Sequence, residues 1–195
     1  MEQIRSFIAI ELPDEVKSAL TQLQAQLKTG KQPSVKWADP YGVHLTLKFL
    51  GNIAVDKVSE ITGAIEEAAQ GISPFYLEVK GLGAFPNFKR VRVVWVGVEG
   101  ELAPLKQLQQ RIESNLAPLG FAPESRPFTP HLTLARLREQ ASPDARENFG
   151  QLLADTRFET TYGFKVDSVN LIRSELTREG AIYSRLSLVT LSQNH

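Results

Sequence analysis

The chain has no cysteine, which removes disulfides, thiolate metal sites and cysteine nucleophiles together. No segment approaches the roughly 20 uninterrupted apolar side chains that a membrane-spanning helix requires. There is also no excess charge of either sign, with 22 basic and 22 acidic side chains. A protein that coats nucleic acid without regard to sequence depends on many phosphate contacts, so a neutral total argues against that role. It leaves room for a small local basic patch, for which Lys36, Lys48, Arg90, Arg92, Arg126 and Arg136, all in or beside expected strands, are the candidates. Several chemical motifs are missing as well. There is no GxSxG nucleophile elbow, no phosphate loop of the GxxxxGK type and no GxGxxG opening a helix; "GLGAFP" at 81–86 contains a GxG but reads as a strand bend. The opening "MEQIRSFIAIELPDE" lacks the basic start, long apolar run and small-residue cleavage site of a signal peptide, so a soluble cytoplasmic protein is expected.

What is present is an ordinary globular composition, 42% apolar and 23% charged over 195 residues. That length suits one compact domain or two small lobes sharing a core. "RSFIAIEL" (5–12) is a β-rich apolar run, followed by Val16, Ala19, Leu20, Leu23 and Leu27 at helical spacing. In "VHLTLKF" (43–49), Val43, Leu45, Leu47 and Phe49 alternate with His44, Thr46 and Lys48, which is the period of a strand with one buried face. Val55, Val58, Ile61, Ile65 and Ala69 mark a second helix. "FYLEVKGLGAF" and "RVRVVWVGV" then read as a hairpin joined by "PNFK". The second half brings a helix with Leu102, Leu105, Leu108, Ile112 and Leu116 on one face, and then the strand "HLTLARL". A further helix follows, capped by Ser142 with Pro143 at its first position, and two closing strands, "KVDSVNLIRSEL" and "AIYSRLSLVTL". Between them "GFAPESRPFTP" (120–130), with three prolines, is a loop expected near a cleft mouth or between lobes.

Two of the three histidines fall in the same tetrapeptide, HLTL, once in each half. Period two places His44 with Thr46, and His131 with Thr133, on one face of their strands while the leucines point the other way. If the halves are related by a twofold-like axis and the polar faces meet, two imidazoles and two hydroxyls converge on one point. Imidazole gives or takes a proton near neutrality. One neutral and one charged ring can therefore divide the work of displacement at phosphorus, while the threonine hydroxyls donate to the non-bridging oxygens. No metal is required, and no acidic residue accompanies either histidine at ligand spacing. A single histidine or threonine on a strand is ordinarily structural; the co-facial pair, repeated, is what points to function. His195 is a chain end and is given no role. Arg136, five residues after His131, faces away from it on an ideal strand and reads as solvated. Trp37, Tyr41, Phe85 and Phe128 are aromatic candidates for base stacking, with core packing the commoner fate of each.

With "HLTLKFLG", "PHLTLAR", the opening "RSFIAIELP", "GAFPNFKRVRVVWVGV", and "VNLIRSEL" followed by "YSRLSLVTL", the sequence resembles the LigT-like RNA 2′,3′-cyclic phosphodiesterases, the 2′-5′ RNA ligase family of two-histidine phosphoesterases. The resemblance spans nearly the whole chain. It implies an α+β fold in which two pseudo-twofold lobes, each an antiparallel-rich sheet with outer helices, enclose a central cleft. The chain is then a single bilobal domain, 1–195, with motif-bearing halves near 1–100 and 101–195 that can exchange strands. It also implies metal-free, cofactor-free hydrolysis of an RNA terminal 2′,3′-cyclic phosphate to a 2′-phosphomonoester. In that reaction His44 is the proton donor, His131 the proton acceptor, and Thr46 and Thr133 contact the phosphate. Arg136 falls where similar bacterial proteins place a phosphate-contacting basic residue. The implied partner is RNA with a cyclic end, or a small cyclic-phosphate nucleotide, acted on by a monomer. Minor reversible 2′-5′ ligation would appear with paired ends such as tRNA halves. Two other readings stand beside it: a noncatalytic RNA-binding module, and a phosphodiesterase for a small cyclic nucleotide or ADP-ribose derivative.

Overall fold

The computed structural model describes residues 2–29, 32, 34–158 and 162–192. In chain order the elements are β1 (Gln3–Glu11), α1 (Asp14–Leu27), β2 (Val35–Trp37), β3 (His44–Ala54), α2 (Val58–Ala69), β4 (Phe75–Phe85), β5 (Val93–Gly100), α3 (Leu102–Leu116), β6 (His131–Leu137), α4 (Pro143–Asp155), β7 (Tyr162–Val166), β8 (Ser168–Thr177) and β9 (Gly180–Thr190), with three short 3-10 turns between them. Alternation along β1 sends Ile4, Ile8 and Ile10 into the main core and Phe7 and Ala9 to the opposite face, where they meet Ile172. The strands form two sheets, ordered β3-β1-β8-β9 and β2-β6-β5-β4-β7. Every strand pairing is antiparallel. In the first lobe α2 packs on α3 and β9, and α3 on β3; in the second α1 packs on β7 and α4 on β4.

The duplication is legible in the order of elements. Strand, helix, HLTL strand, helix, strand occurs as β1-α1-β3-α2-β4 and again as β5-α3-β6-α4-β8. The last strand of each set crosses to pair with the first strand of the other, β4 with β5 and β8 with β1. The helix after each first strand is likewise exchanged, α1 lying on the second sheet and α3 on the first. The two lobes are therefore tied together at four points, and neither sheet is built from one half of the chain alone.

The helices follow the sequence spacing. Val16, Ala19, Leu20, Leu23 and Leu27 are all buried in α1, and Leu105, Leu108, Ile112 and Leu116 in α3. The Ser142 hydroxyl accepts from Ala145 N at 3.1 Å, with Pro143 beginning α4. Three details differ. Val55 is exposed in a 3-10 turn ahead of α2. The run expected as one strand from Lys165 is broken at Asp167 into β7 and β8, which belong to different sheets. β2, too short to show a period, pairs with β6.

A larger correction concerns both motif strands. Opposite β1, Ile8 faces Lys48 and Ala9 faces Thr46, leaving Leu47 as an extra residue. Opposite β5, Val94 faces Ala135 and Trp95 faces Thr133, leaving Leu134 extra at the corresponding place. These are β-bulges, and each reverses the inside-outside alternation beyond it. Leu47 and Lys48 both turn inward, as do Leu134 and Ala135, and Phe49 and Arg136 swing onto the face that carries the histidine and threonine. Phe49, expected in the core, is 64% exposed, whereas Lys48, expected on the polar face, is 3% exposed and cannot join a basic patch.

A buried ammonium needs partners. Lys48 Nζ donates to Glu113 Oε2 of α3 at 2.8 Å and to the carbonyl of Ala122 at 3.0 Å. Glu113 also accepts from Gln109 Nε2 and from the backbone N of Glu124, both at 3.4 Å. The proline-rich loop leading to His131 is thus fastened behind the first motif strand. Across the pseudo-twofold, Gln24 of α1 stands in the matching position, between Leu23 and Leu27 as Glu113 stands between Ile112 and Leu116. Gln24 donates to the carbonyl of Leu134, the extra residue of the second bulge, at 3.1 Å, and to that of Ala38 at 2.7 Å. Removing one member of a buried pair strands the other charge, so Glu113→Ala should destabilise the protein by about 3–5 kcal/mol in urea unfolding. Combining it with Lys48→Met should recover most of that loss; a single-mutant cost below about 1 kcal/mol would show the pair to be solvated.

Candidate active site

A cleft of about 580 Å³ separates the two sheets, and His44, Thr46, His131, Thr133 and Arg136 all line it. Both histidines stand at the first residue of their strands, with the threonine two residues on. The leucines between and after them fill the core, Leu45, Leu132 and Leu134 being fully buried. All five residues singled out in the sequence therefore meet in one place. Arg136 reaches it only because of the bulge at Leu134, and among the described residues its side chain has no hydrogen bond or ion pair.

The two imidazoles sit in different surroundings. His131 Nδ1 lies 2.8 Å from the carbonyl oxygen of Thr129. A carbonyl only accepts, so Nδ1 carries the proton and the neutral ring keeps its lone pair on Nε2. The ring meets Phe85 edge-on at 5.1 Å and lies 6.5 Å from Trp95. Trp95 in turn lies flat over Gly83, where any Cβ would collide with the indole. His44 is held between Phe7 at 5.4 Å and Tyr183 at 5.0 Å, both edge-on. That burial, first among the causes, pushes its pKa below the ordinary 6.5. A backbone hydrogen bond with Gly42 pulls the other way, Lys17 of α1 adds to the lowering, and Glu11 opposes it. Glu11 is the direct cross-strand neighbour of His44, but its carboxylate is occupied by Arg185, whose guanidinium approaches to 2.6 Å. The imidazolium of His44 is therefore an easily surrendered proton.

Sequence reasoning overlooked the aromatic wall of the first lobe. Phe7, Phe49 and Tyr183 line the cleft, whereas none of Trp37, Tyr41, Phe85 and Phe128 is among its lining side chains. Trp37 packs against Phe149 at 6.0 Å, Phe128 packs on the core, and Tyr41 projects from a 3-10 turn, 70% exposed. One signal was available for Phe49: it follows His44 at the same offset as Arg136 follows His131. Tyr183 carries no such mark. His195 lies outside the described residues.

The surroundings of His44 give a direct test. Followed by NMR, its ring should titrate below 6.5. Glu11→Gln removes the carboxylate that favours the imidazolium and should lower the midpoint further, whereas Lys17→Gln removes a repelling charge and should raise it. Shifts of the opposite sign would show that the ring does not sense these neighbours.

The chain is similar over most of its length to known proteins. Over 97% of its length the chain is 32% identical to the RNA 2′,3′-cyclic phosphodiesterase of Methanothermobacter thermautotrophicus, covering all of that protein. It is 34% identical to the protein of the same name from Thermotoga maritima, with 94% of this chain and 93% of the relative covered. Among solved structures, E. coli LigT complexed with 3′-AMP superposes with a TM-score of 0.77 at 27% identity, over 98% of this chain and all of that one. TT0787 of Thermus thermophilus gives 0.76 at 27% identity, with the same coverage. The family model of the 2′-5′ RNA ligase superfamily matches residues 12–178, a span that takes in both HLTL strands and the helices that back them, and the chain is a member of that superfamily.

Proposed function

We propose that the protein is a phosphoesterase that hydrolyses the 2′,3′-cyclic phosphate at the end of an RNA to a 2′-phosphomonoester, without a metal. The observation that carries this reading is the convergence of two H-x-T strands, one from each half of the chain, on a single cleft. The activity named for the relatives and the family membership support it. His131, with its proton on Nδ1 and Nε2 free, takes a proton from water as the water oxygen attacks phosphorus. The bond from phosphorus to the 3′-oxygen breaks, and His44 delivers its proton to that leaving oxygen, giving a 3′-hydroxyl and a 2′-phosphate. The rings finish with exchanged protonation states, which solvent resets. Thr46 and Thr133 donate to the non-bridging oxygens as negative charge grows there, and Arg136 offsets that charge. In this reading the cleft's own donors carry the charge that develops on the phosphate.

An RNA 5′-hydroxyl in place of water would run the same acid and base toward a 2′-5′ linkage. Water is far more concentrated, so ligation becomes visible only when two ends, such as those of a cut tRNA, are held together. One chain supplies both motifs, and the protein acts as a cytoplasmic monomer in this reading.

In chelator, an oligonucleotide ending in a 2′,3′-cyclic phosphate should yield a 2′-phosphate. His44→Ala and His131→Ala should each lower kcat by about 10²–10⁴-fold, and Thr46→Val or Thr133→Val by about 10²-fold. Full activity in either histidine variant would end the two-histidine mechanism. Salt-sensitive RNA binding with no product would identify a binding module instead, and turnover confined to small cyclic nucleotides or ADP-ribose derivatives would move the substrate class.

A further inference from the structure

The cleft extends well past the histidines. Arg5, Phe7, Ala9 and Glu11 share one face of β1, and of these Arg5 and Phe7 line the cleft; their partners on β3, Asn52, Phe49, Thr46 and His44, all line it. Along this strand pair His44 stands at one end of the lining and Arg5 and Asn52 at the other. From Ala9, which stands opposite the phosphate-contacting Thr46, to Arg5 is four residues, about 13 Å at the rise of an antiparallel strand. Arg5 and Asn52 line the same cleft as Arg136, which comes from the opposite sheet.

The charges at this end are unevenly matched. Arg173, the other arginine nearby, is held by Glu175 at 2.7 Å and Glu2 at 3.7 Å. Arg5 is exposed and, among the described residues, has no ion pair or side-chain hydrogen bond. In the opposite sheet Lys36 is the cross-strand neighbour of Arg136, is also exposed and, among the described residues, has no ion pair or side-chain hydrogen bond. A guanidinium left free at the end of a cleft whose middle carries an exposed aromatic ring, Phe49, is arranged for an anion one unit further along a chain of alternating aromatic bases and phosphates.

We propose that Arg5, with Asn52 beside it, is a second phosphate subsite that binds the phosphodiester on the 5′ side of the terminal nucleotide. The proposal rests on the phosphodiesterase reading above and deepens it. A cyclic mononucleotide has nothing to place there, so the subsite makes the protein prefer a strand end over a free nucleotide. The separation from Thr46 is one that the terminal nucleoside and the reach of an arginine side chain together cover. Arg5 touches no reacting atom in this arrangement; it contributes binding from a remote part of the substrate, which draws the cyclic phosphate into the histidine pair.

The test compares three substrates: a nucleoside 2′,3′-cyclic phosphate, a dinucleotide ending in the same cyclic nucleotide, and that dinucleotide with an uncharged methylphosphonate at its internal linkage. The wild type should favour the charged dinucleotide over each of the other two by about tenfold in kcat/KM. Arg5→Gln should collapse both ratios toward one, and Arg5→Lys, which keeps the charge without the fork, should restore part of them. Equal rates on the charged and uncharged dinucleotides in the wild type would overturn the subsite. So would an Arg5→Gln variant that loses the same factor on all three substrates. If the wild type hydrolyses no cyclic end, the function proposed above fails on its own account, and the subsite is then judged by binding of the two dinucleotides carrying a 2′-phosphate. Tighter binding of the charged one that Arg5→Gln abolishes would sustain it, and equal affinity would overturn it.

Discussion

The leucines of the two HLTL strands are the constraint from which the rest of the cleft follows. Leu45, Leu47, Leu132 and Leu134 are almost completely buried, and each such side chain contributes on the order of 1.5–3 kcal/mol when removed from water. Successive residues on a strand face opposite ways, so burying the leucines obliges His44, Thr46, His131 and Thr133 to face outward. A slip of one residue would put every imidazole and hydroxyl in the core and every leucine in the cleft. The face that lines the cleft is thus fixed by the apolar face behind it, and the motif is as much a packing instruction as a polar one.

The bulges add the second layer. At Leu47 and Leu134 one extra residue re-aims the strand, so that the position five past each histidine returns to the histidine's face. The two halves then diverge in what they place there and in how the distortion is supported. The first carries an aromatic ring, Phe49, backed by the buried Lys48 and Glu113 pair; the second carries a cation, Arg136, backed by the neutral amide of Gln24. The same divergence separates the imidazoles. His44 is crowded by Phe7 and Tyr183 and sheds its proton readily. His131 has its tautomer fixed by a carbonyl and leaves Nε2 open. A duplicated scaffold has become a site with two unlike ends, which suits the division of labour between one acid and one base in the proposed reaction.

Much of this was legible in the sequence because period is a strong signal where an element is long and one-sided. The first three helices and the shared face of each histidine and threonine follow from spacing, and the fourth helix and the β4-β5 hairpin from the Ser142 cap and the turn residues between the strands. The two-sheet α+β arrangement came with the family resemblance. What escaped was what period cannot express. A bulge leaves no local mark in "HLTLKF" or "HLTLAR", and extending strict alternation through it inverted Lys48 with Phe49 and turned Arg136 away. β2 is three residues long and held in place by β6. The break at Asp167 sends consecutive strands to different sheets, which depends on tertiary pairing. The cleft aromatics Phe7 and Tyr183 are positioned by partners distant in sequence, so chain order could not single them out from the aromatics that pack elsewhere.

The central claim is that the imidazoles of His44 and His131 flank a single phosphorus. A crystal structure with inorganic phosphate bound in the cleft tests it most directly. The account predicts one phosphate with a ring nitrogen of each histidine about 3 Å from its oxygens, and with the Thr46 and Thr133 hydroxyls on the same ion. A phosphate held by one histidine alone, or two ions occupying separate places, would contradict it.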